Sequence, residues 1–177
     1  MGDGPHDRDG LRVTPAFNRV EVPLPVRDMI ARLMMEYAHA IDNDELERWP
    51  QFFTEKCLYQ IIPRSEYDQG RPIGLWFCDN RGMLEDRVSS VREVSVFEPH
   101  VYRHVIGPTE ILGSHDAAYQ TQTSYIVVRT MHDGEMSLFS AGRYIDEIVI
   151  ESGAARFRKR VVVPDSWRFD TLVVIPL

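Results

Sequence analysis

Cysteine is nearly absent from this 177-residue chain, which holds only Cys57 and Cys78. Two are too few for a disulfide scaffold, and their spacing excludes a C-x-x-C redox pair, so both are read as reduced and at least partly buried. Neither stands in a C-x-H pair, so a [2Fe–2S] cluster with mixed cysteine and histidine ligands has no foothold here. The G-x-G-x-x-G, G-x-x-x-x-G-K-[ST] and G-x-S-x-G fingerprints are missing as well. No apolar run approaches the ~20 residues of a membrane helix. There is no basic excess: the net charge is −7, which disfavours nucleic acid. The first residues carry acids where a secretory signal carries bases, and no apolar core follows, so the expected location is the cytoplasm.

What is present suits one ordinary domain, with 44% hydrophobic and 27% charged residues. Residues 1–22, rich in Gly, Asp and Pro, are expected to be a flexible arm, and residues 23–177 a single domain. After Pro23 and Pro25, the positions Val26, Met29, Ile30, Leu33, Met34, Tyr37 and Ile41 recur at helical spacing. Asp42-Asn43-Asp44 is expected to stop this helix and cap a short second one over Glu45-Leu46-Glu47-Arg48. Leu58 to Ile62 reads as a strand, 64–78 as a loop, and Asp79 or Asn80 as the cap of a third helix carrying Met83, Leu84, Val88 and Val91 inward.

Beyond Pro99 the period changes to two. Val101 to Leu112 is a strand region broken by Gly107-Pro108, and Tyr119 to Met131 alternates cleanly. Asp133-Gly134 predicts a tight primed turn with positive φ at both central residues. A strand from Glu135 to about Ile150, a turn at Ser152-Gly153, a strand from Arg156 to Val163 and a last short strand at Leu172 to Ile175 complete the pattern. Helices first and long hairpin-linked strands afterwards argue an α+β fold, with helices packed on one curved antiparallel sheet. A glycine near mid-strand, Gly142, favours strong curvature, and a curved sheet over helices makes a cone with a pocket.

Asp42, Tyr59, His100, His104, Tyr125 and Tyr144 are the candidate lining of that cone. A base and a donor of these types would serve a stand-alone dehydratase or isomerase, with Asp42 and His100 or His104 as an acid–base pair. Used as a ligand cup without turnover, the same cone would make a binding module. His100 and His104 are poor metal partners, because four residues along a strand span about 13 Å. The basic group Arg156, Arg158, Lys159 and Arg160 is read as a solvated strand face, with a subunit interface as the competing reading.

Several stretches together carry a resemblance. They are Ala40 to Thr54 (AIDNDELERWPQFFT), Cys57-Leu58-Tyr59, Met83 to Val88 (MLEDRV), His100 to Gly107 (HVYRHVIG), Tyr125 to Arg129 (YIVVR) and Phe139 to Tyr144 (FSAGRY). Across residues 26–177 the chain resembles the small (beta) subunits of aromatic-ring-hydroxylating dioxygenases, in the subgroup acting on aromatic carboxylates such as terephthalate and anthranilate. The first ~20 residues depart from that pattern. The resemblance implies the cone fold of the nuclear-transport-factor and scytalone-dehydratase superfamily. It implies a structural, non-catalytic chain with no cofactor of its own. Its large (alpha) subunit partner would carry a Rieske [2Fe–2S] cluster and a mononuclear non-haem iron, in a hexamer of three small and three large chains. The holoenzyme would add both atoms of dioxygen to an aromatic acid, using electrons from NAD(P)H passed on by a reductase. Arg87, Arg92, Arg103 and His104, which stand in the matching motifs, are its candidate subunit-interface residues.

Overall fold

A computed structural model describes residues 21–71, 73–93, 98–169 and 173–177. The expected arm therefore lies almost wholly outside the described residues; at its inner end Val22 is buried.

Helix α1 (Leu24–Asp42) starts with Pro25 in its first turn, where a missing N–H costs nothing, and buries Ile30, Leu33, Met34, Tyr37, Ala40 and Ile41 on one face. It ends as Asn43 N–H returns to the His39 carbonyl and Asp44 adopts φ +59°. The second helix differs from expectation. It is a 3₁₀ turn, Leu46–Phe52, running through Pro50, and no side chain caps it. Asp42 is engaged elsewhere, and Asp44 serves as the left-handed stop. Strand β1 (Phe53–Ile61) begins five residues earlier than expected.

The stretch read as a loop holds two short elements, α2 (Arg64–Asp68) and β2 (Trp76–Cys78). Three residues are too few to show alternation, so β2 has no local signature. Helix α3 (Arg81–Glu93) buries Leu84 and Val88, and the Asn80 Oδ1 accepts from Met83 N–H as its cap.

Strands β3 (His100–Ile106), β4 (Glu110–His115), β5 (Ala118–Met131), β6 (Met136–Glu151) and β7 (Ala154–Pro164) complete the fold. The sheet order is β2-β1-β7-β6-β5-β3, with β4 continuing the β3 edge along β5 past the Gly107-Pro108 break. The pairing is antiparallel apart from β1, which runs parallel to β7. The primed turns sit at Asp116-Ala117 (φ +48° and +59°) and at Ser152-Gly153 (+51° and +79°). At Asp133-Gly134 the expectation is corrected. Gly134 N–H meets the Met131 carbonyl and Met131 N–H meets the Glu135 carbonyl, a three-residue loop in which Gly134 alone is left-handed (φ +90°). The Asp133 carboxylate is spent on Glu135 N–H.

At Gly142 the structure shows a close approach of two strands. A Cβ on Gly142 would collide with the Val163 carbonyl oxygen and the Pro164 Cα, so β6 and β7 approach at a distance only glycine permits. The final strand is not formed in its described part. From Val173 to Leu177 the main chain bonds side chains instead: Trp76 Nε1–H donates to the Val173 carbonyl (3.0 Å), and Tyr37 Oη–H to that of Leu177 (2.7 Å). Ile175 and Leu177 are buried in the core.

Candidate functional site

The interior of the cone is filled by aromatic rings. Tyr59, Tyr125 and Tyr144, three of the candidate lining residues, are at most 2% exposed. Tyr125 stacks on Tyr144 at 4.5 Å, and Tyr37 meets Tyr144 and Phe157 edge-on at 6.4 and 5.5 Å. Burial pushes the phenols of Tyr59 and Tyr144 well above the usual tyrosine range and raises that of Tyr125, so none is poised for proton transfer near neutral pH.

At the centre lies Arg160, completely buried. Its guanidinium forks onto Asp146 (Nε–Oδ1 2.9 Å, Nη2–Oδ2 2.8 Å) and lies 3.9 to 4.2 Å from the ring centres of Phe157, Tyr37 and Tyr144. This corrects its reading as part of a solvated face. A bulge in the β6–β7 pairing lets Arg158 slip out of register, so Arg160 falls on the inward side with Phe157. Its neighbours Arg156, Arg158 and Lys159 stay half-buried on the outside. Arg158 and Lys159 both face Glu147, at 3.1 and 3.8 Å. Sequence reasoning missed the Arg160–Asp146 pair because its signal is a bulge that depends on the partner strand.

Asp42 and His104 do meet. Both side chains are at most 1% exposed, and the ring Nδ1 lies 2.6 Å from Asp42 Oδ1. The carboxylate also accepts from the main-chain N–H of His104 at 2.9 and 3.1 Å. A carboxylate only accepts, which places the ring proton on Nδ1. Among the described residues the His104 Nε2 has no hydrogen-bond partner. The arrangement ties the end of α1 to the open edge of β3 and satisfies an edge N–H that would otherwise invite another strand. His100, at the start of the same strand, faces the Glu98 carbonyl through Nδ1 at 2.8 Å.

The remaining candidates divide by exposure. Arg92 is a clamp within the chain: Nη1 donates to both Asp44 carboxylate oxygens (2.7 and 2.9 Å), Nη2 to the Asp44 carbonyl and Nε to Glu47 (2.8 Å). The hydrogen bond from Arg92 holds the Glu47 carboxyl below its usual range. Arg87 is exposed, with its guanidinium 4.6 Å from the centre of the Trp76 ring. The Arg103 side chain is 67% exposed and only loosely paired, 3.6 Å from Asp42.

Among the described residues no three His, Cys, Asp or Glu side chains converge as metal ligands. Cys57 and Cys78 are buried and unpaired with each other, and burial pushes the Cys57 thiol up to about 11, against the opposing pull of Arg81. The donor set of the described residues therefore does not fit an iron–sulfur cluster or a mononuclear iron. Among the described residues no helix is long and apolar enough to cross a membrane.

The comparisons with known proteins agree with this geometry. A scytalone-dehydratase-type protein of Novosphingobium aromaticivorans superposes with TM-score 0.59 at 15% identity, covering 77% of this chain and 82% of that one, a likeness of fold alone. A crystal structure of an aromatic-ring-hydroxylating dioxygenase beta subunit from the same organism superposes with TM-score 0.78 at 33% identity, over 86% of this chain and 97% of that one. The anthranilate 1,2-dioxygenase small subunit of Burkholderia cepacia is 38% identical over 148 residues, which is 84% of this chain and 92% of that one. A terephthalate 1,2-dioxygenase terminal oxygenase beta subunit of Comamonas sp. is 37% identical over 148 residues, 84% of this chain and 96% of that one. The model of the family described as ring hydroxylating beta subunit matches residues 36–169. The chain belongs to that family: it is the small subunit of a multicomponent aromatic-ring dioxygenase.

Proposed function

We propose that this chain is the non-catalytic scaffold of an oxygenase whose substrate is an aromatic carboxylate. In this reading three copies join three large subunits in the cytoplasm, and the large subunit holds the Rieske cluster and the mononuclear iron. The observation that carries the substrate class is the identity, near 38%, to subunits named for anthranilate and terephthalate dioxygenases. The scaffold role is supported by an interior packed with rings and by phenols raised out of the working range. Arg87 and Arg103, both exposed, are the residues that meet neighbouring subunits. Arg92 and His104 act from behind them, the first by clamping α3 to the turn after α1, the second by fixing the edge of β3 through Asp42.

Oxygen uptake by the complete system tests this reading. The small chain, its large subunit and a reductase are supplied with NAD(P)H and either an aromatic carboxylate or naphthalene. Uptake with the carboxylate alone, and none from the small chain without its large subunit, is expected. Turnover by the isolated small chain, lost in His104→Ala with the fold intact, would instead establish an Asp42–His104 acid–base enzyme.

A further inference from the structure

Two apolar patches lie at opposite ends of the sheet. On the outer face of β3, β5 and β6, Val101, Val105, Ile126, Met136 and Leu138 are 44–68% exposed. Register makes the patch continuous: Val105 pairs Ile126, Val128 pairs both Arg103 and Leu138, and Thr130 pairs both Val101 and Met136. Together these five side chains present roughly 500 Å² of apolar surface, at the upper range of what a monomer shows in one piece. Arg103 stands at its centre. At the other end, Ile73, Leu75 and Phe77 leading through β2 are 47–63% exposed. Their spacing of two puts them on one side while Trp76 and Cys78 point inward. Phe77, Asp86 and Arg87 line a groove of about 260 Å³ there, and Asp79 is exposed beside it.

The patches are unlike and complementary. One is apolar around a cation, the other apolar beside two carboxylates. Arg87 on the second has exposed acids to meet at the rim of the first, Asp133 and Glu135 of the β5–β6 loop. A contact between two different patches is head to tail, and such contacts build a ring when the rotation between copies closes and an open filament when it does not.

We propose that the β3–β5–β6 outer face of one copy of this chain seats the β2–α3 edge of the next, and that this contact builds the small-subunit ring; the inference rests on the three-plus-three reading above. The opposite charges set the register, with Arg103 of one copy against Asp86 and Asp79 of its neighbour.

The test is a charge exchange in the full chain, alone and co-purified with its large subunit, followed by sedimentation and native mass. R103E and D86R each weaken ring association about tenfold or more, and R103E/D86R restores it to within about threefold. Leu138→Asp, on a solvent-facing position, dissolves the ring while the thermal transition of the chain persists. A wild-type chain that stays monomeric at micromolar concentration, or a ring indifferent to R103E and L138D, overturns the proposal. So does release of the large subunit with the small-subunit ring intact, which assigns the face to the large subunit. If the exchange behaves as expected but no large subunit is ever bound, the docking faces stand and the oxygenase reading fails.

Discussion

Replacing Asp146 with alanine should be among the most damaging single changes in the chain. Asp146 and Arg160 have no exposed side-chain surface, and the two hydrogen bonds between them are 2.8 and 2.9 Å long. Without the carboxylate the guanidinium remains charged, caged by three rings and left with the Met34 sulfur as a weak acceptor. An ion stranded in this way costs about 3–5 kcal/mol, which for a chain of this length lowers the melting temperature by roughly 10 °C. Met34 and Tyr37 belong to α1, so the loss falls on the packing of α1 against β7. The pair as a whole adds little stability, because taking both charges out of water offsets their attraction. Asp146→Leu with Arg160→Met together should therefore stay within about 2 kcal/mol of wild type. Urea unfolding of the three proteins decides the matter. A single variant that loses less than about 1 kcal/mol, or a double variant worse than the single, refutes the reasoning.

Other changes follow from the same coordinates. Gly142→Ala drives a methyl into the Val163 carbonyl and should cost about 3 kcal/mol in urea unfolding, whereas an alanine at Gly107, whose nearest neighbour would be 3.5 Å away, should cost under about 1 kcal/mol. Arg92→Ala breaks an exposed clamp and should cost about 1 kcal/mol at pH 7. Because Arg92 lowers the folded-state value of Glu47, that contribution is present above the ordinary value of 4.5 and fades as pH falls through the folded one, so the gap between wild-type and variant stabilities should narrow as the pH is taken below 4.5. Cys57, with its thiol pushed up to about 11, should resist alkylation at pH 8 in the native chain and react promptly in urea; rapid native modification would contradict its burial.

Local elements were legible where a long period or a local residue determines them. The face of α1 from Ile30 to Ile41 and the alternation of β5 are as the pattern implies. So is the bend at Gly107-Pro108. What was not legible depends on distant partners. Strand β2 and the parallel pairing of β1 with β7 leave no local trace. Asp42 reads as a cap because Asp and Asn favour caps, yet it is claimed by His104, sixty-two residues away. Arg160 reads as surface because arginine is seldom fully buried, and only the bulge in β7 and Asp146 across the pair make the interior tolerable. The family was legible in full, since its motifs are contiguous, whereas the faces joining one copy to its neighbours are assembled from strands far apart in sequence.

The most direct test of the account is purification of the chain from cells that also make its large subunit, followed by native mass and iron and sulfide analysis of each component. The account predicts a one-to-one assembly with all the iron and sulfide in the larger chain. A metal-free oligomer of this chain that binds no larger partner, or iron that stays with this chain when the two are separated, would contradict it.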